Sequence, residues 1–349
     1  MAEVRRVGML TGGGDAPGLN GVIRAVTMRC IEDYGYEVSG IKRGWKGLLD
    51  PESDSVQSLQ VDDVRYLLQE GGTILLSSRT NPYKNEGDAE KVVQNMKGFG
   101  IDALVAIGGD DTLGVAKRLY DDFGVQVVGC PKTIDNDLSA TDTTFGYDTA
   151  VSIATEAIDR IRTTAKSHER IIVVEVMGRH AGWITWGAGL ASAANVTLIP
   201  EVEPDIEAIT DLFKKRAGRG DRWGIVAVSE GVVLGEEYIT QDAERDEFGH
   251  VRLGGIGETL AGELKERTGI DTLHVVLGHL QRGGTPTAYD RILSTRYGLR
   301  AAEAVKNGEW GQMVALRGNE IVTVSLDEAT AETKTVPDDL YDVLRTFFG

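Results

Sequence analysis

Short apolar runs alternate with amphipathic segments along most of the chain. The amphipathic segments predict helices near Asn20–Arg29, through Val115–Leu119 and over Val151–Ile161, where apolar residues recur at helical spacing. Apolar strands that alternate with helices are typical of a largely parallel sheet covered on both faces. The pattern therefore predicts an α/β fold. The runs that predict strands are Val7–Leu10, Ala103–Ile107, Val125–Gly129, Arg170–Val174, Ile225–Val228 and His274–Leu277.

Two longer stretches depart from this alternation. Trp183–Ile199 is the longest weakly polar stretch, but Thr185 and Asn195 interrupt it, so it predicts a buried helix and not a membrane span. Asp242–His250 is the most polar stretch and predicts a surface loop or hairpin. The first residues lead directly into a strand without the apolar segment of a signal peptide. Composition does not locate a domain boundary, because no low-complexity linker divides the chain.

The composition narrows the class of protein. A chain of 349 residues fits one large or two medium domains. Its net charge of −17, from 37 basic and 54 acidic residues, argues against nucleic acid or an acidic membrane as a partner, because both attract basic surfaces. An anionic ligand would need cations concentrated at one site. Cys30 and Cys130 form no CxxC motif and adjoin apolar runs, which favours a reduced, cytoplasmic chain with buried thiols.

Two acidic, glycine-flanked segments, Ile107–Thr112 and Pro131–Asp137, follow two of the predicted strands. Both would therefore lie at strand carboxyl ends, where open α/β sheets bind ligands. Asp110 could bind Mg²⁺, Asp135 could accept a proton, and Lys132 could hold a phosphate. Taken singly, the first Asp could instead cap a helix, and the second segment could be an ordinary turn. Taken together, these residue types predict phosphoryl transfer.

The two segments read GGDDT and PKTIDND, and they resemble the 6-phosphofructokinases, more narrowly their pyrophosphate-dependent branch. Six matching segments occur in the family's order, from about Val4 to beyond Tyr297, and together they are far more specific than any one short motif. The other four are Thr11–Gly18, Gly72–Arg79, Met177–Gly182 and Leu277–Gly284.

The resemblance implies the phosphofructokinase fold, in which two αβα Rossmann-like domains share the chain discontinuously. The phosphoryl-donor domain would cover residues 1–146 plus about 281–331, and the sugar-phosphate acceptor domain residues 147–280 plus about 332–349. The resemblance also implies a homo-oligomer, a dimer or tetramer, in which Arg170 reaches the active site of a neighbouring subunit. The whole effector site of the bacterial ATP-dependent enzymes cannot be traced in this chain, so we expect weak or absent allostery.

The implied reaction is a Mg²⁺-dependent, reversible transfer of a phosphoryl group from pyrophosphate to the C1 hydroxyl of fructose 6-phosphate. Asp135 would be the catalytic base, although an Asp with an ordinary pKa of about 4 is a weak one. Arg79 would lie between the donor and acceptor phosphates, and Arg179 would meet the transferring phosphate. Asp110 would be the metal ligand, and Gly14 would contact the donor.

Two positions favour pyrophosphate over ATP as the donor. Asp111 occupies a position where ATP-dependent relatives usually have glycine, so its side chain would clash with the α-phosphate of a nucleotide and repel it. Lys132 occupies a position where bacterial ATP enzymes commonly have glycine, and it would offer a point charge to a pyrophosphate oxygen. Some ATP-using relatives keep that lysine, so ATP stays open as the alternative donor.

The residues of the acceptor side are implied by the same segments. Leu273 departs from the family, which usually has an arginine six residues before the motif histidine, and His274 lies beside it. The missing charge could weaken fructose 6-phosphate binding or indicate a broader acceptor such as sedoheptulose 7-phosphate. A lipid or NAD kinase, or a catalytically silent sugar-phosphate-binding subunit, would fit the six segments less well. The implied contacts are Thr133 and Asp137 to the substrate and its polar surroundings, Arg170, His279 and Arg282 to the 6-phosphate, Met177 and Gly178 to the fructose, and Glu230 to the sugar hydroxyls.

Overall fold

The computed structural model describes residues 4–235 and 255–349. The loop or hairpin predicted at Asp242–His250 lies outside these residues. The strands are β1 (Arg6–Thr11), β2 (Glu37–Ile41), β3 (Val56–Leu59), β4 (Ala103–Gly108), β5 (Val127–Pro131), β6 (Ile171–Val176), β7 (Val196–Leu198), β8 (Gly224–Ser229), β9 (Thr272–Val276), β10 (Gln312–Arg317) and β11 (Glu320–Ser325).

The helices cover both faces of the sheets. Shorter helical turns occur at Arg29–Asp33, which is a π-helix, and at Leu67–Gln69 and Gly278–Arg282, which are 3₁₀-helices. The α-helices are α1 (Leu19–Met28), α2 (Lys46–Leu49), α3 (Val61–Val64), α4 (Asp88–Gly98), α5 (Asp110–Phe123), α6 (Tyr147–Ser167), α7 (Trp183–Ala191), α8 (Ile206–Ala217), α9 (Ile256–Thr268), α10 (Ala288–Asn307), α11 (Leu326–Thr330) and α12 (Asp338–Arg345). The predicted α/β fold is confirmed.

The first sheet has seven strands in the order β11-β10-β5-β4-β1-β2-β3. Its five inner strands run parallel, and β3 and β11 are antiparallel edges. The register pairs Thr11 with Ile107 and Gly108 with Pro131. The loops that follow β1, β4 and β5 therefore leave the sheet at one edge, and these loops carry the glycine-rich and acidic segments.

The second sheet has four parallel strands in the order β7-β8-β6-β9. Its register pairs Val176 with Ser229, so the chain leaves β6 and β8 side by side at Met177 and Glu230. Each sheet thus brings distant segments together at its carboxyl edge.

Burial explains the apolar patterns of most strands. Every residue of β4, β5, β6 and β8 is buried, as expected for strands covered on both faces. The edge strand β9 differs, because Leu273 is 43% exposed and Val276 is 52% exposed. Cys30 and Cys130 are buried and unpaired with each other, which confirms the prediction of two buried thiols.

The single buried helix predicted for Trp183–Ile199 is wrong over its second half. Helix α7 ends at Ala191, and the strand β7 follows. The turn between them contains Ala193 in a left-handed conformation, with φ of 51°. Asn195 then bonds to the second sheet, because its Oδ1 accepts a hydrogen bond from the Ile225 N–H at 2.9 Å. Among the described residues, no helix combines the length and apolarity that crossing a membrane requires.

Candidate active site

The loops at the carboxyl edges of both sheets line one cleft. All the predicted site residues except Gly178 and Arg170 line this cleft or the recess that adjoins it. The first-sheet loops supply Gly13, Gly14, Arg79, Gly109–Thr112, Lys132, Thr133, Asp135 and Asp137, and the loops after the second-sheet strands supply Met177, Arg179, His180, Glu230 and Arg282. The recess adds Asp15, Gly72, Thr73, Leu76–Ser78 and His279.

The glycine loop after β1 brings two cations against its backbone. The Lys132 ammonium donates a hydrogen bond to the Gly14 carbonyl at 2.6 Å, and Arg282 Nη1 donates one to the Asp15 carbonyl at 3.2 Å. A Cβ on Gly14 would lie 2.6 Å from Arg282 Nη1. Glycine at this position therefore lets the guanidinium approach the backbone closely, which a simple tight turn would not require.

Helix α5 begins with the two adjacent carboxylates of the GGDDT segment. Gly109 is its N-cap, and no side chain caps the helix, so Asp110 does not serve as the cap. Both Asp110 and Asp111 lie in the first turn, where the positive end of the helix dipole stabilises negative charge. Both residues line the cleft, so the start of this helix places two negative charges beside any ligand that binds there.

Thr112, which the sequence reasoning did not assign, joins this helix to two loops. A Cβ on Gly108 would lie 2.3 Å from the Thr112 Cβ, and one on Gly12 would lie 2.4 Å from its Oγ1. The two glycines are therefore needed for packing beside this threonine. The positions of these glycines in the segments beside Thr112 were the sequence signal that could have identified this threonine.

The Asp135 loop is braced from within. The Asp135 N–H donates to Thr133 Oγ1 at 3.1 Å, and Asn136 adopts a left-handed φ of 51°. Asn136 Oδ1 accepts from the Thr144 N–H at 3.0 Å. Asp135 Oδ1 is buried and accepts no hydrogen bond from the described residues. The loop thus holds a carboxylate oxygen that is available to accept a proton. An ordinary turn would not be expected to bury such an oxygen without a partner.

The electrostatics of the cleft change the properties of its titratable groups. Burial raises the pKa of Asp135, while the positive charges of Arg282 and Lys132 oppose that rise. Burial and the neighbouring Asp135 also raise the pKa of Asp137. The Asp135 carboxylate is therefore a stronger base than the ordinary Asp assumed from the sequence. Burial, with a smaller contribution from Arg282, lowers the pKa of Lys132 to about 8.

Cations gather in the cleft, but carboxylates balance them. Four cationic side chains and five carboxylates line the cleft within the described part of the chain: Arg79, Lys132, Arg179 and Arg282, and Asp110, Asp111, Asp135, Asp137 and Glu230. A polyphosphate bound here would therefore need a further cation. The carboxylates offer only oxygen donors, which suit Mg²⁺. Within residues 4–235 and 255–349, no group of three or more Asp, Glu, His or Cys side chains is arranged to hold an ion alone.

Gly178 supports the cleft from behind. Its φ of 142° is in the region that favours glycine, and a Cβ there would lie 2.6 Å from Ser229 Oγ and 2.7 Å from the Ala181 carbonyl oxygen. Its N–H donates a long hydrogen bond of 3.4 Å to Glu230 Oε1. Burial raises the pKa of Glu230. Gly178 thus orients a neighbour that lines the cleft.

Arg170 lies at the opposite edge of the second sheet. It directly precedes β6, and its Nε is 2.7 Å from Asp271 Oδ2. Leu273, the position that departs from the family pattern, lies at the same amino edge, because Ile172 pairs with it in the register of β6 and β9. Neither residue lines the cleft of its own chain. His180 does line the cleft but was not assigned, although it belongs to the matched segment Met177–Gly182.

Comparisons with known proteins place the chain in a family. The model of the family described as Phosphofructokinase matches residues 6–305, and the chain belongs to this family. The pyrophosphate–fructose 6-phosphate 1-phosphotransferase of Amycolatopsis methanolica is 58% identical over 345 residues, which is 99% of this chain and 100% of that protein. The ATP-dependent 6-phosphofructokinase of Mycobacterium tuberculosis strain H37Rv is 50% identical over 345 residues, with the same shares covered.

A solved structure shows the same fold. The crystal structure of Pichia pastoris phosphofructokinase in the T-state matches with a TM-score of 0.81 and 32% sequence identity. The match covers 100% of this chain and 37% of that longer chain. The predicted phosphofructokinase fold is confirmed.

Proposed function

We propose that this chain catalyses the Mg²⁺-dependent, reversible transfer of a phosphoryl group from pyrophosphate to the C1 hydroxyl of fructose 6-phosphate. The observation that carries the proposal is the presence of Asp111 and Lys132 in the same cleft as Asp135. The name of the Amycolatopsis relative, a pyrophosphate–fructose 6-phosphate 1-phosphotransferase at 58% identity, supports the same donor and acceptor. The products would be fructose 1,6-bisphosphate and phosphate, in glycolysis or gluconeogenesis.

The residues of the cleft would have different roles in the reaction. Asp135 accepts the proton of the C1 hydroxyl as that oxygen bonds to phosphorus, while the bridging P–O bond of pyrophosphate breaks and phosphate leaves. Its raised pKa favours this role. Arg79 and Arg179 lie in the lining and would offset the charge that develops on the transferring group.

The donor pyrophosphate would bind beside the glycine loop. Lys132 is already held against the Gly14 carbonyl, and its two remaining protons can reach a phosphate oxygen. Asp111 would leave room for pyrophosphate but repel the additional phosphate of a nucleotide. Asp110 would hold the Mg²⁺, with the other ligands supplied by water and the substrate phosphates. When bound, the ion would neutralise charge on the pyrophosphate oxygens.

Fructose 6-phosphate would occupy the second-sheet side of the cleft. The imidazole of His279 and the guanidinium of Arg282 would bind its 6-phosphate, and Glu230 would accept hydrogen bonds from the sugar hydroxyls. The remaining contacts would come from Met177 and, across the cleft, from Thr133 and Asp137, while Gly178, which does not line the cleft, would act by orienting Glu230. In this division the first sheet serves the donor and the second the acceptor, with the proposed domain bounds at 1–146 plus about 281–331 and 147–280 plus about 332–349.

We further propose a cytoplasmic homo-oligomer, a dimer or tetramer. Arg170 and Leu273 lie at the amino edge of the second sheet, away from the cleft of their own chain. Arg170 can therefore contribute to a 6-phosphate site only in another subunit. In such an assembly the 6-phosphate would be bound by one cation fewer, because Leu273 replaces the family's arginine. The rate with sedoheptulose 7-phosphate as acceptor should therefore be compared with the rate with fructose 6-phosphate.

The second candidate function is the same transfer with ATP as donor. The observation that favours it is the 50% identity to a mycobacterial protein named ATP-dependent 6-phosphofructokinase. Initial rates with fructose 6-phosphate and Mg²⁺, at matched concentrations of pyrophosphate and ATP, decide between the two donors. Activity with pyrophosphate alone supports the proposal. Preference for ATP would overturn the donor argument, and turnover with neither donor would overturn the proposed reaction.

A further inference from the structure

Lys334 reaches the Asp135 loop from the far end of the chain. Its ammonium donates three hydrogen bonds, to Asn136 Oδ1 at 3.0 Å and to the carbonyls of Thr141 and Asp142 at 2.9 and 3.0 Å. Its backbone N–H also donates to the Asp137 carbonyl at 2.8 Å. All three protons of the ammonium are therefore engaged by the segment that directly follows Asp135.

The same residue also contacts the segment that carries Arg179. The Lys334 carbonyl accepts a hydrogen bond from Trp183 Nε1 at 2.8 Å, and its ammonium lies 5.5 Å from the centroid of that indole ring. Trp183 is the first residue of α7, four residues after Arg179. Lys334 therefore bonds at once to the loop of the base and to the start of the helix beside the phosphate-binding arginine.

A second contact of this C-terminal segment strengthens the link. Glu201 Oε1 accepts hydrogen bonds from the Gly182 N–H and from the Val336 N–H, each at 2.9 Å. Gly182 is the N-cap of α7. The chain around Lys334 is thus bonded directly to Trp183, and through Glu201 to Gly182, at the end of the turn that follows Arg179.

Asn136 connects the contacts of Lys334 to the neighbouring Asp135. Its φ of 51° lies in the left-handed region, which asparagine adopts more readily than most residues but less readily than glycine. Its side chain holds that conformation by bonding to both Lys334 and Thr144. Loss of the lysine would remove one of these two restraints from the residue next to the base.

We propose that Lys334 is a positioning residue, which fixes the Asp135 loop against the Arg179 segment in the geometry that phosphoryl transfer needs. The inference rests on the proposed function for its effect on turnover, but the positioning itself does not. Lys334 does not line the cleft, so it acts on the substrates only through the residues it holds.

Lys334→Met tests the effect on turnover, with Lys215→Met, at an exposed position of α8, as the matched control. A displacement of the base by about 1 Å would lower kcat by up to about 100-fold. KM for both substrates should change less than about threefold, because Lys132, Glu230 and Arg282 are held by contacts that do not involve Lys334. The control should match the parent protein. An unchanged kcat in the Lys334 variant, or an equal loss in the control, would overturn the inference.

Chemical rescue separates positioning from general destabilisation. In Lys334→Ala, added propylammonium can refill the space of the missing side chain and donate three hydrogen bonds, so kcat should recover with saturation. Tetramethylammonium carries the same charge but has no N–H donor, and it should not restore kcat. Equal recovery with both ions, or with neither, would contradict the role of the three hydrogen bonds.

Hydrogen–deuterium exchange gives a readout that needs no turnover. Peptides that cover residues 133–144 should exchange faster in Lys334→Met than in Lys215→Met, while peptides from β1 and β4 should exchange alike. Unchanged exchange at 133–144 would overturn the inference even if the parent protein proved inactive. Failure of the parent protein with both donors would instead overturn the proposed function, so the two failures remain distinct.

Discussion

Gly14→Ala should lower activity without unfolding the protein. The new Cβ would lie 2.6 Å from Arg282 Nη1 and 3.0 Å from its Cζ. Both atoms are at the far end of a flexible side chain, so the guanidinium can move while the backbone stays. Gly14 is not one of the described glycines with a positive φ, so its backbone conformation suits alanine without strain.

The size of the displacement follows from the structure. The clash is at 2.6 Å and ordinary contact begins at 3.4 Å, so the guanidinium would retreat by about 0.8 Å to restore an ordinary contact. Misplacement of a substrate-positioning group by about 1 Å costs about 100-fold in rate, or about 2.7 kcal/mol of transition-state stabilisation. We therefore expect kcat/KM for fructose 6-phosphate to fall by about 30- to 100-fold.

The assay compares kcat/KM for fructose 6-phosphate and the thermal midpoint of three proteins. Gly262→Ala is the control, because Gly262 lies within α9 and a Cβ there meets nothing within 4 Å. That change should leave kcat/KM unaltered and stabilise the helix by about 1 kcal/mol. Gly14→Ala with full activity would refute the reasoning that Arg282 needs this close approach. A large drop in its thermal midpoint would show that the clash falls on the fold and not on the guanidinium.

Three further predictions concern the donor, the base and pH. Asp111→Gly should raise the ratio of ATP-driven to pyrophosphate-driven turnover by at least about tenfold, since two like charges about 4 Å apart repel by about 4 kcal/mol at an effective dielectric of about 20; a fall in that ratio would contradict the exclusion of nucleotide. Asp135→Ala should lower kcat by about 100- to 10,000-fold, while calorimetry should still detect fructose 6-phosphate binding; retained turnover would exclude Asp135 as the base. With the pKa of Lys132 lowered to about 8, kcat/KM for pyrophosphate should fall as pH rises through about 8, because the lysine loses its positive charge. Lys132→Met should lack this decline, and a decline of the same size in that variant would assign it to another group.

Much of the fold follows from local pattern. The apolar runs that predict strands correspond to β1, β4, β5, β6, β8 and β9, with ends that differ by at most two residues. Four further strands, β2, β3, β10 and β11, were not predicted. The edge strands β3 and β11 are only partly buried, so polar residues interrupt their apolar positions, whereas β10 does contain a buried apolar run, Met313–Leu316, that was missed. The stretch Trp183–Ile199 was interpreted as one helix because its Gly and Ala residues give no local sign of a turn. The turn is stabilised by a hydrogen bond between Asn195 and the distant strand β8.

The short motifs also predicted most of the candidate site. Segments such as GGDDT and PKTIDND hold their functional residues within a few positions, and the parallel register brings the segments to one edge. The resemblance implies that Arg170 acts in a neighbouring subunit, which stays a prediction, and its position before β6, away from the cleft of its own chain, could not be judged from such a motif. Whether a residue before a strand faces the cleft depends on the direction of the strand in the assembled sheet.

The sequence by itself determined the α/β class, the family resemblance and the residue types at the cleft, because each depends on neighbours along the chain. Only the tertiary structure decided how these residues act on one another. Lys334 bonds to Asn136 across 198 positions, and Arg282 bonds to Asp15 across 267. Burial raises the pKa of Asp135 and lowers that of Lys132. Such contacts and such burial arise between segments that meet only when the chain folds, so they cannot be predicted from a local pattern of residues.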